Sequence, residues 1–325
     1  MIEDAIALVA ERVRAGSRRD LVECLNLVDG SSTADRGRTT ELLDLLYRME
    51  RPDGWVTGVT GAPGVGKSTL VGTVASELRA RGRTVAVLAV DPSSPRTGGA
   101  LLGDRTRIGA DPKDAGLFVR SMASRGALGG LAAAAADAVV VLRAAFDEVV
   151  VETVGVGQSE VDVAALSGTT MLVLQPSAGD TLQFMKAGIM EVPDVVALNK
   201  SDLPGAHAAL AQVRAALGWA APDSGGWTPA VELVSAAMRS GVDTLVSLLE
   251  RHRGHLREMG AVATRREGAR AAEVRARVLR RGGELAIEAL GEEALGRAAA
   301  EHPEMSPRAI AASLEARWLA GLRAG

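Results

Sequence analysis

A glycine-rich segment carries the clearest chemistry in this sequence. The pattern GxxxxGK[ST] begins at Gly61 and ends at Ser68, with an apolar run before it and apolar residues at helical spacing after it. Such a loop binds phosphate through its backbone N–H groups, and the helix that follows directs the positive end of its dipole at the same phosphate. We expect Lys67 to reach the β- and γ-phosphates of a nucleoside triphosphate and Ser68 to bind Mg²⁺. The predicted phosphate-binding residues are Gly61, Ala62, Pro63, Gly64, Val65, Gly66, Lys67, Ser68 and Thr69.

A second polar segment predicts which base is bound. Asn199-Lys-Ser-Asp202 follows the apolar run 195–198. A carboxylate can accept hydrogen bonds from both N1–H and the exocyclic amino group of guanine, whereas adenine has no such pair of donors. After the next apolar run, 231–234, we expect the backbone N–H groups of Ser235 and Ala236 to meet guanine O6. The predicted ligand is therefore GTP or GDP, and the predicted guanine site consists of Asn199, Lys200, Asp202, Ser235, Ala236 and Ala237.

Three carboxylates follow other apolar runs and are candidate metal ligands. Asp91 ends the run 85–90, in a strand that we expect beside the strand of the phosphate loop. Asp104 lies in the long loop that follows, which is rich enough in Gly and Ser to adopt two orderings and to sense a γ-phosphate. Glu152 comes directly after another Val-rich run. The predicted Mg²⁺ ligands are Ser68, Asp91, Asp104 and Glu152, and the predicted catalytic residues are Lys67, Asp104 and Glu152.

Simpler interpretations of these loops stay open. The segment 92–107 is also compatible with a solvated irregular loop, and Glu152 with a carboxylate that caps the next helix. Gly155 is placed to offer its N–H to the γ-phosphate, but Gln158 does not follow it directly. The sequence therefore names no residue that positions the attacking water.

The succession of apolar runs predicts an α/β fold. Strands without polar alternation, separated by helices, are typical of a parallel sheet that is covered on both faces. We predict a mostly parallel P-loop GTPase sheet with helices on both faces, an N-terminal helical segment and a C-terminal helical arm. The predicted strands are 55–59, 85–90, 149–151, 171–174, 195–198 and 231–234, and the predicted domains are 1–50, 51–258 and 259–325.

Composition excludes several classes of function. Lys and Arg number 37 against 40 Asp and Glu, so the net charge of −3 gives no general attraction to nucleic acid or to an anionic membrane. Four Trp, three Phe and one Tyr are too few for a base-stacking surface. The single cysteine, Cys24, excludes an internal disulfide and a thiolate zinc site. Because no export signal or membrane span is visible, we expect a cytoplasmic protein without nucleic-acid or membrane partners.

The tail combines a charged stretch with an apolar stripe. Arg265–Arg281 contains many arginines, with Glu267 and Glu273 between them and Glu284 beyond, which is typical of a solvated helix face. Apolar residues then recur at helical spacing and predict a buried face. These residues are Ile310, Leu314, Trp318, Leu319 and Leu322.

Several long motifs together resemble one protein family. DPSSPxTGGxxLGDxTR at Asp91–Arg107, RGxLGG at Arg125–Gly130 and ETVGVGQSE at Glu152–Glu160 are similar to motifs of the methylmalonyl-CoA mutase-associated GTPases. These are SIMIBI-class P-loop GTPases of the MeaB/ArgK type, formerly described as kinases of an arginine/ornithine transport system. The match covers residues 37–255 well and the tail more loosely. It implies a Mg²⁺-dependent GTPase that protects, loads and reactivates an adenosylcobalamin-dependent acyl-CoA mutase.

The resemblance also implies two protein contacts. Gly179–Gly188 matches the family's third switch, which faces the mutase, and it supplies Asp180, Gln183 and Lys186 as contact residues. Phe184 stands where the family commonly has Gly, which leaves open which acyl-CoA mutase is bound. The tail is implied to form a homodimer through its apolar stripe. A metallochaperone and a kinase of a transport protein are the alternatives, although the chain has no His-rich or CxxC element for metal delivery.

Overall fold

The structure is a computed structural model, and it is described here for residues 2–30, 36–51, 53–91, 108, 111, 113–123, 133–153, 159–176, 193–218 and 226–324. The chain forms two compact units. The helical unit comprises Met1–Gly54, Ala133–Ala145 and Ala263–Gly325, and the sheet unit comprises Trp55–Ala132 and Phe146–Val262. The three predicted domains, with bounds at residues 50 and 258, stay a prediction.

A seven-stranded parallel sheet forms the centre of the sheet unit, in the order β3-β2-β4-β1-β5-β6-β7. The α/β prediction is thereby confirmed, and six strands coincide with predicted apolar runs. The edge strand β3 was missed because Arg120 and Ser121 interrupt its apolar residues. The strands are β1 Trp55–Thr60, β2 Val85–Asp91, β3 Leu117–Ala123, β4 Glu148–Thr153, β5 Thr169–Leu174, β6 Val195–Leu198 and β7 Ala230–Leu233.

Helices connect these strands and make up the other unit. Within the described residues they are α1 Ile2–Arg14, α2 Arg18–Asp29, α3 Arg36–Arg48, α4 Lys67–Ala80, α5 Ala133–Ala145, α6 Ser159–Leu166, α7 Ala206–Leu217, α8 Val242–Glu258, α9 Ala261–Leu290, α10 Glu292–Glu301 and α11 Pro307–Ala324. In this part of the chain, none of the helices combines the length and the apolar character that crossing a membrane requires.

Both faces of the sheet are covered, which explains why its strands show no polar alternation. All residues of β1, β4, β5 and β6 are buried. One face packs on α4 and α8, with Val59 and Val150 against Leu70 and Leu245. The other face packs on α7, where Val213 contacts the cluster of β5 and β6. This burial fixes the sheet and leaves its carboxyl edge to carry the loops with the predicted site residues.

The position of β4 corrects one prediction about the metal site. Asp91 was expected on a strand beside β1, but β4 lies between β1 and β2. In the register of the sheet, Glu152 of β4 pairs with Val59 of β1 on one side and with Ala89 of β2 on the other. The carboxylate next to the strand of the phosphate loop is therefore Glu152, and Asp91 lies one strand further away.

Two buried arginines in the helical unit correct the prediction that the charged stretch of the tail is a solvated helix face. Arg277 of α9 is buried, and it donates to Asp137 at 2.6 Å and to Glu273 at 2.6 Å. Arg270 is also buried, and it donates to the carbonyl oxygens of Pro303 and His302 beyond the end of α10. These arginines hold helices together inside the unit. They are not part of a solvated face, because the unit supplies acceptors that the sequence pattern does not reveal.

The prediction that the apolar stripe of α11 forms one buried face is corrected in part. Ile310 and Leu314 are 1% and 2% exposed and lie in a core cluster with residues of α9 and α10, and Trp318 packs against the same cluster. Leu319 and Leu322 are 40% and 62% exposed. The inner half of the stripe therefore stabilises the chain's own fold, and only the outer half is accessible.

Candidate functional site

The phosphate loop joins β1 to α4 and depends on its glycines. Gly61, Gly64 and Gly66 have φ values of 143°, 81° and 93°, which residues with a side chain rarely adopt. A Cβ on Gly61 would lie 2.3 Å from the carbonyl oxygen of Val173 on β5. The helix α4 begins at Lys67, so its first N–H groups face the loop. The backbone is therefore shaped to hold an anion at the start of α4.

Lys67 is buried within this loop. Its Nζ donates to the carbonyl oxygens of Gly61 at 2.7 Å and Ala62 at 3.0 Å. The ammonium group therefore lies over the backbone that would surround a phosphate group. The predicted loop residues Pro63, Gly64 and Thr69 are exposed.

Ser68 and Glu152 form the part of the predicted metal site that the structure describes. The Ser68 hydroxyl donates to Glu152 Oε1 at 2.7 Å, and the Glu152 side chain is buried. Oxygen donors of this kind suit Mg²⁺, which binds through one or two protein ligands and keeps several waters. Among the described residues there is no group of three or more His, Cys, Asp or Glu side chains that could hold a metal ion.

Asn199 connects the predicted guanine loop to its neighbours. Its Nδ2 donates to the carbonyl oxygen of Val65 at 2.9 Å, and its Oδ1 accepts from the N–H of Ala236 at 3.0 Å. One amide side chain therefore bridges the phosphate loop, the end of β6 and the loop after β7. A Cβ on Gly66 would lie 2.6 Å from Asn199 Nδ2, so this bridge also requires glycine at position 66.

Asp202 is exposed and oriented by a hydroxyl group. Ser235 Oγ donates to Asp202 Oδ1, and the N–H of Ser235 donates to the carbonyl oxygen of Ser240 at 3.0 Å. The Asp202 carboxylate therefore lies at the edge of the sheet, and one of its oxygens is held by the Ser235 hydroxyl group. Because the N–H groups of Ser235 and Ala236 both have acceptors in the protein, their contact with guanine O6 stays a prediction. Ala237, which follows them, is exposed.

Lys200 joins two of these loops through a residue that the sequence analysis missed. Its Nζ donates to the carbonyl oxygen of Gly64 at 2.7 Å and to Gln175 Oε1 at 2.7 Å. Gln175 follows β5, which lies between β1 and β6. Its position directly after a strand was the only signal available, and that signal does not distinguish it from other strand ends.

Several predicted site residues lie outside the described residues. They are Asp104, Gly155, Asp180, Gln183 and Lys186. The backbone of Asp91 belongs to β2. The described part of the site therefore consists of the phosphate loop, the pair of Ser68 and Glu152, and the guanine loop.

Fold and site together define a class of protein. A parallel sheet with a GxxxxGKS loop after β1 and an Asn-Lys-Ser-Asp loop after β6 is a P-loop GTPase. The profile of the family described as "Methylmalonyl Co-A mutase-associated GTPase MeaB" matches residues 21–287. The chain therefore belongs to this family, as its motifs indicate.

Known proteins support this assignment. "GTPase ArgK" of Escherichia coli (strain K12) is 38% identical over 251 residues, which cover 75% of each chain. "Methylmalonic aciduria type A homolog, mitochondrial" of Mus musculus is 33% identical over 265 residues, which cover 78% of this chain and 64% of that protein. A crystal structure of an "LAO/AO transport system kinase" is 27% identical, with a TM-score of 0.72, and the match covers 96% of this chain and 97% of that one. This protein is thus a GTPase that binds guanine nucleotides and hydrolyses GTP.

Proposed function

We propose that this GTPase is a chaperone of an adenosylcobalamin-dependent acyl-CoA mutase, such as methylmalonyl-CoA mutase, which it protects, loads and reactivates. The observation that carries the proposal is the match to the mutase-associated family over residues 21–287. That stretch includes both the phosphate loop and the guanine loop. The GTPase therefore serves to report its nucleotide state to the mutase.

The hydrolytic site is proposed to use three charged side chains. Lys67 would exchange its bonds to neutral loop carbonyls for bonds to the negatively charged β- and γ-phosphates, which are stronger because both partners are ionised. Glu152 and Ser68 would bind Mg²⁺, with Asp91 and Asp104 completing its environment. When bound, Mg²⁺ neutralises charge on the phosphate oxygens. Lys67, Asp104 and Glu152 are thus the proposed catalytic residues.

Base recognition is proposed to rest on Asp202. Its carboxylate would accept hydrogen bonds from N1–H and the amino group of guanine, while Ser235 holds one oxygen in place. Asn199 keeps this loop at a fixed distance from the phosphate loop. Lys200, Ala236 and Ala237 would line the base.

The protein contacts are also proposals. Asp180, Gln183 and Lys186 would contact the mutase. A homodimer would form through the exposed end of α11, at Leu319 and Leu322, because the inner residues of that stripe are buried in the chain's own core. The protein would act in the cytoplasm, without nucleic-acid or membrane partners.

Single-turnover GTP hydrolysis tests the chaperone proposal. We expect faster hydrolysis with a purified cobalamin-dependent mutase from the same source, because the docked mutase would favour the state in which the attacking water is positioned. Asp180→Ala, Gln183→Ala and Lys186→Ala should reduce this acceleration and leave GTP affinity unchanged. Gln212→Ala, at an exposed position on α7, is the matched control. Equal acceleration in all variants, or none with any such mutase, would refute the proposal.

Experiments can distinguish two alternative functions from the proposed chaperone function. A transport-system kinase is favoured by the description of the similar crystal structure. It predicts transfer of the γ-phosphate of labelled GTP to a protein, whereas a chaperone GTPase releases it as inorganic phosphate. A metallochaperone predicts stoichiometric binding when the protein is titrated with cobalt or nickel.

A further inference from the structure

Gln175 lies where the end of β5 meets the phosphate loop and the guanine loop. It directly follows β5, between the strand that leads into the phosphate loop and the strand that leads into Asn199. The N–H of Asn199 donates to the carbonyl oxygen of Leu174 at 2.8 Å. The backbone just before Gln175 is therefore held against the first residue of the guanine loop.

The side chain of Gln175 shares a cation with the phosphate loop. Lys200 Nζ is 2.7 Å from Gln175 Oε1 and 2.7 Å from the carbonyl oxygen of Gly64. Gly64 lies in the middle of the phosphate loop and has a φ of 81°. One ammonium group thus connects the end of β5, the guanine loop and the phosphate loop.

Lys200 needs acceptors to stay in this place. Its backbone has a φ of 60°, which is unfavourable for a residue with a Cβ. Its side chain is half-buried and has four rotatable bonds, so the ammonium group gains both entropy and hydration by turning into solvent. Two short charge-assisted hydrogen bonds oppose this movement into solvent, and among the described residues the side-chain acceptor is Gln175.

We propose that Gln175 is a positioning residue for guanine-nucleotide binding. By accepting from Lys200, it holds the ammonium group against the phosphate loop and fixes the spacing between the two loops before the nucleotide arrives. Such preorganisation lowers the entropy that binding must remove, so it stabilises the bound nucleotide. Gln175 acts through Lys200, so its loss should speed nucleotide release and leave the hydrolysis of bound GTP unchanged.

Nucleotide release from side-chain variants tests this role in the isolated protein, without any mutase. Gln175→Met keeps the length of the side chain and removes the acceptor, and Gln175→Glu keeps an acceptor in the same place. We expect Gln175→Met to release fluorescent GDP and GTP analogues about ten- to hundredfold faster, which is the size of one lost charge-assisted bond. Gln175→Glu should release them at close to the original rate. Single-turnover hydrolysis at saturating GTP should stay within about twofold in both variants.

Two further comparisons separate positioning from a general loss of structure. Gln175→Asn places its acceptor one carbon short of Lys200 and should behave like Gln175→Met, and Gln212→Met on the exposed face of α7 is the matched control. In a Lys200→Met background, Gln175→Met should have no additional effect on release. The proposal is overturned if Gln175→Met leaves release unchanged, if Gln175→Glu is as fast as Gln175→Met, or if the effect persists without Lys200.

Discussion

The hydroxyl of Ser68 donates to Glu152 Oε1 at 2.7 Å, although the two residues are 84 positions apart in the chain. Ser68 belongs to the first turn of α4, and Glu152 lies near the end of β4. The sheet brings them together because β4 pairs directly with β1, the strand that leads into the phosphate loop. Two oxygen atoms that suit Mg²⁺ therefore meet at the start of the helix that faces the phosphates.

Glu152→Gln tests the metal role of this pair. The substitution keeps the size of the side chain and removes its charge, so we expect GTP hydrolysis to fall about 10²- to 10³-fold, as for loss of one electrostatic contact in a transition state. Binding of GDP in the presence of a chelator should not change. The measurement is phosphate release over a Mg²⁺ titration, with Glu77→Gln on the far part of α4 as the control. An unchanged rate and an unchanged Mg²⁺ requirement would contradict the assignment.

Lys67→Ala tests the phosphate loop. It removes the only side-chain cation of the segment 61–68, where negative charge accumulates during phosphoryl transfer. We expect the single-turnover rate to fall about 10²-fold or more. Lys113→Ala, at an exposed position, serves as the control for loss of a positive charge. A variant that keeps most of the rate would show that Lys67 does not stabilise the transferred phosphate.

Asp202→Asn tests how the base is read. A site that hydrogen-bonds a polar group rejects a ligand that leaves it unpaired, so we expect GTP affinity to fall about 100-fold or more. Xanthine nucleotides should bind better than before, because their carbonyl group at position 2 can accept from the new amide. Competition between GTP, XTP and ATP for a fluorescent nucleotide measures both changes. Equal affinity of the unmodified protein for ATP and GTP would exclude the proposed role of Asp202.

The sequence predicted which segments form strands better than it predicted which strands lie side by side in the sheet. Runs of buried Val and Leu mark six strands because both faces of the sheet are covered. The order of strands is a property of the crossovers, which have no local signature, and so Asp91 was placed one strand too close to the phosphate loop. The contact between Lys200 and Gln175 was missed for the same reason.

The charged tail shows a second limit of sequence patterns. Alternating Arg and Glu on a helix is typical of a solvated face, and the same pattern occurs at Arg277, which is 9% exposed. Burial became possible because Asp137, 140 positions away, supplies a carboxylate. A pattern within one helix does not record such a distant partner.

Asp137→Asn should strongly destabilise the helical unit. Asp137 is 2% exposed and accepts from Arg277 at 2.6 Å and from Arg308 at 2.5 Å. Removing the negative charge of Asp137 leaves the positive charges of these two arginines less well neutralised. Breaking a buried ion pair costs about 3–5 kcal/mol. Urea unfolding followed by circular dichroism measures the loss.

An exposed ion pair in the same unit provides the comparison. Arg275 and Glu292 are 2.8 Å apart, with 43% and 57% of their side chains exposed. Glu292→Gln should therefore change the free energy of unfolding by less than about 1 kcal/mol. If both substitutions cost the same, the burial of Asp137 would not be what makes its pairs important.

Glu148 gives the sheet unit a pH-dependent stability. It accepts from Arg253 at 2.8 Å, and the Arg253 guanidinium group lies 5.2 Å from the centre of the Trp55 ring. Burial raises the pKa of Glu148 from 4.5 to about 7, although Arg253 and Arg83 oppose the shift, and Glu250 adds to it. The native state therefore holds a proton on Glu148 at a pH where the unfolded chain has lost it.

This difference predicts that the free energy of unfolding falls as pH rises from about 4.5 to about 7, because the native state binds more protons in that window. The contribution of Glu148 is fully present below pH 4.5, and about 3 kcal/mol of it is lost once the pH has passed through the native pKa near 7. Chemical denaturation at a series of pH values measures the profile. Glu148→Gln, which cannot titrate and still accepts from Arg253, should flatten it. If the variant and the unmodified protein had parallel profiles, the pH dependence would have to come from other groups, and the raised pKa of Glu148 would be wrong.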